Sequence, residues 1–130
     1  MEARNTIQRS LVYEAVQQLC HPTAEEAWTF IHRKHPSVSK ATVYRNLGVL
    51  AQSGALRKIS LPDGADHFDS TLSEHYHIRC RLCGLVADVD MPHQERMTDL
   101  IKDAAGFLVE GHDIILKGLC PACAQRCPAG

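Results

Sequence analysis

No apolar run in this 130-residue chain approaches the roughly 20 residues that cross a bilayer as a helix. No membrane partner is therefore expected. The N-terminus, Met1-Glu2-Ala3-Arg4-Asn5, lacks the apolar core of a secretory signal, which places the expected compartment in the cytoplasm. Net charge is also scarce: 14 Lys and Arg stand against 15 Asp and Glu, a formal −1 at pH 7. No global basic field marks the chain for nucleic acid, so any such case must rest on local pattern. Repeats and low-complexity segments are missing as well.

What is present is a globular composition, 45% hydrophobic with 22% charged, and six cysteines. A chain of this length holds one ordinary domain or two small ones, and a small domain needs a staple. In a reducing compartment paired cysteines are better read as metal ligands than as disulfides, so zinc is the expected staple.

Ile7, Leu11, Val12, Ala15, Val16 and Leu19 recur at helical spacing, which predicts a helix over 7–20 capped by Thr6 and ended by His21-Pro22. Thr23-Ala24-Glu25-Glu26 is a capping box opening a second helix to about His35, ahead of Pro36. Ser39 caps a third, with Val43, Leu47 and Leu50 inward and Lys40, Thr42, Tyr44, Arg45 and Gln52 outward, closed by Ser53-Gly54. Residues 55–61 alternate like a strand, Pro62-Asp63-Gly64 is a turn, and 65–69 return. Three short helices and a hairpin describe a winged helix-turn-helix domain over 1–70.

After a polar hinge at 70–74, a second domain over 75–130 is expected. It has a strand over 76–80, a knuckle, a return strand over 85–90, a helix from His93 to Ala105 and a last strand up to Leu119. The fold class is α+β: the winged helix followed by a small α/β domain with a short antiparallel sheet and a four-cysteine zinc site.

Cys80-x-x-Cys83 and Cys120-x-x-Cys123 each let a tight turn present two sulfurs to one tetrahedral ion. Cys20 and Cys127 sit in no such knuckle and are read as ordinary small residues. His75 and His77 lie two apart on a strand and so share a face, and counting back from the knuckle turn puts Asp88 opposite His77. Imidazole with carboxylate suits iron, manganese or zinc without selecting among them. Incidental histidines on an exposed strand are the plain alternative.

A zinc-dependent enzyme is the competing class. The chain has neither a His-Glu-x-x-His helix nor a His-x-Glu ahead of Pro-Cys-x-x-Cys, and four thiolates leave zinc no room for a reactive water. A thiol oxidoreductase built on Cys120-Pro121-Ala122-Cys123 lacks the surrounding βαβ pattern. No enzyme is expected. For DNA, Lys40, Thr42, Tyr44 and Arg45 on the third helix, with Arg57 and Lys58 on the wing, form a local polar and cationic stripe.

Taken in order, Arg4-Asn5-Thr6-Ile7-Gln8-Arg9, His21-Pro22-Thr23-Ala24, Ala41-Thr42-Val43-Tyr44-Arg45-Asn46-Leu47, Phe68-Asp69, His75-Tyr76-His77-Ile78-Arg79-Cys80-x-x-Cys83-Gly84 and Cys120-x-x-Cys123 resemble the ferric uptake regulator family across essentially the whole chain. The resemblance implies a homodimeric, metal-dependent repressor of double-stranded operator DNA. In it Cys80, Cys83, Cys120 and Cys123 hold structural zinc, and His21, Asp69, His75, His77 and Asp88 hold a regulatory iron or manganese. Tyr76 between two histidines and aspartate at 88 are more similar to the peroxide-sensing (PerR) branch than to the iron-sensing branch. That branch implies release of DNA when peroxide oxidises His21 and His75, with no other small-molecule substrate; an iron- or other metal-responsive regulator is the alternative. A further metal site of some members has partial counterparts in Glu95 and His112, with Tyr76 where a carboxylate would serve. The family generally carries one more helix ahead of Arg4, so DNA-backbone contacts from such a helix are not expected here.

Overall fold

The computed structural model describes residues 2–61 and 64–126, with side chains from Thr6 through Gln125. They divide into two compact units at Ser73 and Glu74.

The first unit opens with α1 (Glu2–Leu19), which buries Val12, Ala15 and Val16. The helix begins before Thr6, so the expected cap there is corrected: Thr6 lies within the helix. Cys20 (φ 53°) and His21 (φ 54°) then leave it in the left-handed region, a conformation that costs a non-glycine residue about 1–2 kcal/mol. α2 (Ala24–Lys34) starts at the expected capping box, Thr23 Oγ1 accepting from Glu26 N at 3.1 Å and Glu26 Oε1 from Thr23 N at 2.9 Å. α3 (Lys40–Gln52) is capped by Ser39 Oγ, which accepts from Thr42 N at 3.1 Å, and ends at Ser53 with Gly54 at φ 86°, where glycine carries no Cβ penalty.

β1 (Arg57–Ile59) and β2 (His67–Asp69) pair antiparallel with Arg57 opposite Asp69 and Ile59 opposite His67. Of the turn expected between them, Pro62 and Asp63 lie outside the described residues. Val12, Val16, Ala27, Ile31, Val43, Leu47, Leu56 and Phe68 form one core that ties the three helices to the wing.

The second unit is a three-stranded sheet in the order β4-β3-β5. β3 (Tyr76–Cys80) pairs antiparallel with β4 (Val86–Val89) and parallel with β5 (Ile115–Gly118). The sheet is thus mixed and not wholly antiparallel as expected. β4 ends at Val89 opposite Tyr76, the end where β3 starts, so the connection needs only to pass to the other edge before running alongside β3. That direction sets Gly118 against Cys80.

Two further expectations over this stretch are corrected. In place of a helix from His93 to Ala105 there is a single 3-10 turn, Met97–Leu100. Of its expected apolar face Met97 and Ala104 are only half-buried and Leu100 is 79% exposed, and a short helix with little tertiary packing is marginal in water. A short α4 (Pro121–Arg126) was not foreseen; Pro121 at its first position needs no amide partner.

Candidate metal centres

The parallel pairing of β5 with β3 delivers the second cysteine knuckle to the first. The Sγ atoms of Cys80, Cys83, Cys120 and Cys123 all lie within 4.8 Å of one another. Cys83 Sγ and Cys120 Sγ are 3.7 Å apart, close to the about 3.8 Å that follows for two sulfurs each 2.3 Å from a tetrahedral zinc. Each knuckle turns one amide back on its own first sulfur: Cys83 N to Cys80 Sγ and Cys123 N to Cys120 Sγ, both 3.5 Å. Donated amides favour thiolate. The Cys120 backbone amide, then that of Cys83, pull the Cys80 pKa from 9.0 to about 5. Cys123 moves the other way, to about 12, because its thiol is held first by the Cys120 side chain and then by that of Cys80. Crowding thus splits the pair, drawing Cys80 toward thiolate and Cys123 toward the protonated thiol. Cys20 is exposed and is not one of the clustered sulfurs, and Cys127 lies outside the described residues.

On the same sheet, His77 faces Asp88 in the β3–β4 ladder. Asp88 Oδ1 lies 2.9 Å from His75 Nε2 and 3.4 Å from His77 Nε2, and the two imidazole centroids are 4.4 Å apart. His77 is buried and Asp88 half exposed, so the group has a dry side and a wet side. The three side chains meet as expected, although His75 stands one residue ahead of β3 and not on the strand itself.

The first unit carries a second imidazole–carboxylate pair. His21 Nε2 stands 3.2 Å from Asp69 Oδ2, with both side chains over nine-tenths buried. Asp69 Oδ1 also accepts from Thr71 N at 2.9 Å. The backbone at His21 is gripped by the wing: His67 Nδ1 lies 2.6 Å from the His21 carbonyl oxygen, and Phe68 N donates to Pro22 O at 2.9 Å. Sequence reasoning passed over His67, whose only signal was its place two residues before Asp69 on one strand.

The residues matched to a further metal site do something else. Tyr76, 1% exposed, has its hydroxyl 2.7 Å from His112 Nε2 and accepts from Gln94 N at 2.8 Å. His93 stacks on His112 at 4.8 Å and reaches Glu74 Oε2 at 3.2 Å, while Glu95 takes no part in these contacts.

On the outer face of α3, Lys40, Tyr44 and Arg45 are exposed as expected. Lys40 Nζ sits 3.4 Å from Glu25 Oε1 and over the Trp28 and Tyr44 rings at 5.4 and 5.9 Å. Thr42 is half-buried, with its hydroxyl 2.8 Å from Ser39 Oγ, and so is less available than expected. On the wing, Lys58 Nζ lies 3.8 Å from Asp66 Oδ2, and Arg57 Nη1 donates to Ser73 O at 3.3 Å. An open groove of about 830 Å³ runs between this helix face and the wing, with Tyr44, Gly48, Gln52, Lys58, Asp66 and Phe68 among its walls.

Comparison with known proteins gives a consistent result. The family model for the ferric uptake regulator family matches residues 1–117. The peroxide operon regulator of Bacillus subtilis is 34% identical over 124 residues, covering 95% of this chain and 86% of that protein. The peroxide-responsive repressor PerR of Staphylococcus epidermidis is 32% identical over 106 residues, covering 82% and 71%. Among solved structures, the Campylobacter jejuni peroxide stress regulator superposes with a TM-score of 0.73 at 29% identity, covering 92% of this chain and 90% of that one. The Helicobacter pylori ferric uptake regulator shares the fold, with a TM-score of 0.73 at 24% identity over 89% and 79%. This chain belongs to the ferric uptake regulator family, whose members are transcription regulators and not enzymes.

Proposed function

We propose that this protein is a homodimeric, metal-dependent repressor that binds operator DNA through α3 and the wing and senses peroxide through a regulatory metal. The observation that carries the reading is the pair of cysteine-free donor groups, His21 with Asp69 in the first unit and His75 and His77 with Asp88 in the second. These five side chains hold one iron or manganese ion, a donor set of nitrogen and oxygen that suits either. Cys80, Cys83, Cys120 and Cys123 hold zinc as a closed, structural site. Leu100, Phe107 and Leu108, each more than three-quarters exposed, belong to the unit that meets a second copy of the chain.

An ion that takes ligands from both units favours the arrangement in which they bind it, and this shifts the population toward the DNA-fitting form. His21, Asp69, His75, His77 and Asp88 would hold the ion, and ferrous iron bound there would supply the reducing electron for hydrogen peroxide beside the His21 and His75 imidazoles. An imidazole that gains oxygen at the ring is a poorer donor. Its loss frees Asp69 or Asp88 from the shared task, and the bias toward the DNA-fitting form disappears. Similarity to the Bacillus and Staphylococcus peroxide regulators supports this over an iron-responsive reading, which a carboxylate of different length at position 88 would favour.

The test uses a duplex selected from random sequence by the manganese-loaded protein. Binding should require manganese or ferrous iron, and brief peroxide should release only the iron-loaded protein, with one oxygen added to the peptide carrying His21 or His75. Release that instead follows cysteine oxidation, with both histidines intact, would sink the mechanism.

A further inference from the structure

We infer that His67 is a positioning residue for the regulatory metal: its imidazole fixes the backbone of His21 so that the His21 side chain meets Asp69. The inference rests on the proposed metal role of His21 and Asp69 and adds a residue that contributes no metal ligand.

His21 and the residue before it, Cys20, both adopt positive φ, and neither is glycine. Such a conformation persists only where its surroundings hold it. β2 supplies the hold. His67 is buried, and its Nδ1 stands 2.6 Å from the carbonyl oxygen of His21; a carbonyl only accepts, so Nδ1 carries the proton and donates. Phe68 N donates to Pro22 O, and Thr23 bridges His67 in antiparallel fashion, so residues 21–23 lie along β2 as a short third edge.

His67 and Asp69 are two apart on that strand and share a face. One strand therefore grips His21 twice, at its backbone carbonyl through His67 and at its imidazole Nε2 through Asp69. With both ends held, the left-handed His21 backbone delivers the ring to the carboxylate. A leucine at 67 fills the space and donates nothing. An asparagine offers its side-chain N–H near the place of Nδ1 and keeps the donated bond.

The test compares the full-length, zinc-loaded protein with His67→Leu, His67→Asn and His21→Ala, using manganese(II) as the probe and its EPR signal to count free ion. His67→Leu should weaken manganese binding by about 10- to 100-fold, the range typical of lost outer-shell partners, with zinc content unchanged. His67→Asn should recover most of that loss. Equal affinity in the leucine variant and the parent overturns the inference, as does an asparagine variant that is folded and as weak as leucine.

Amide hydrogen exchange on the metal-free, zinc-loaded chain separates this inference from the functional reading. The Phe68 amide should exchange faster in His67→Leu than in the parent and in His67→Asn. If that holds while the parent takes up no manganese, His67 positions His21 as argued and the regulatory site is misassigned. If the Phe68 amide is indifferent to residue 67, the positioning role is wrong whatever the metal does.

Discussion

His77 stands directly opposite Asp88 across the β3–β4 ladder, and Asp88 Oδ1 lies within 3.4 Å of both His75 Nε2 and His77 Nε2. Register alone, with the chain reversing at the Cys80 knuckle, places a strand-borne carboxylate between two imidazoles that share a face. The length of that side chain is therefore a functional variable. Asp88→Ala should abolish manganese-dependent DNA binding. Asp88→Glu, one methylene longer, should keep it and blunt the peroxide response by filling an open position on the ion. The check is a peroxide titration of DNA release for the iron-loaded forms; an unaltered response in Asp88→Glu contradicts the geometric argument.

Cys80→Ser or Cys123→Ser should lose zinc and weaken the dimer. Both residues are buried, and structural zinc contributes on the order of 10 kcal/mol in small domains, so one missing thiolate leaves the end of the second unit without its staple. Cys20→Ser should keep full zinc and an unchanged melt, since Cys20 is exposed and is not one of the four clustered sulfurs. Zinc analysis with sedimentation of each variant decides this.

Zinc uptake should be coupled to proton release. In the metal-free chain near neutrality Cys80, drawn down to about 5, is a thiolate, while Cys123, pushed up to about 12, retains its proton. The depressed Cys80 stabilises the metal-free fold above its ordinary 9.0, an effect lost as pH falls through about 5. The raised Cys123 acts in the opposite sense, with its contribution present below 9.0 and lost as pH rises through about 12. Zinc needs Cys123 as thiolate, so affinity should climb with pH across neutrality by about tenfold per unit for each proton released. Chelator competition from pH 6 to about 8 measures the slope; a flat line counts against the cluster as drawn.

Tyr44→Ala or Arg45→Ala should weaken binding to the selected duplex with zinc content unchanged, by about 1–3 kcal/mol each where the side chain reads a base. Lys40 differs, because its ammonium already lies against Glu25. Glu25→Gln should release it to phosphate, raising affinity a few-fold at low salt, as befits an exposed pair worth about 0–1 kcal/mol, and steepening the salt dependence by about 0.9 in log–log slope. Gel shifts across a salt series test both. A slope identical to that of the parent shows that Lys40 meets no phosphate.

Short-range chemistry determined much of this protein from sequence alone. The capping box at Thr23, the Ser39 cap, the Gly54 stop and the strand alternation around His77 are local, because each depends on residues within about one turn or one hairpin of each other. Asp88 was legible for the same reason: a hairpin's register follows from its turn. The expected helix over 93–105 failed because periodicity records an apolar face but not whether anything covers it. Tertiary structure decided what lies far apart in the chain. It chose the parallel direction of β5, which sets Gly118 beside Cys80 and so brings Cys120 and Cys123 to the other knuckle. It also placed His67 on the carbonyl of His21, a contact across 46 residues. No local preference encodes either juxtaposition, since the cost of closing such loops is met only by the contacts made once the sheet and the wing have formed.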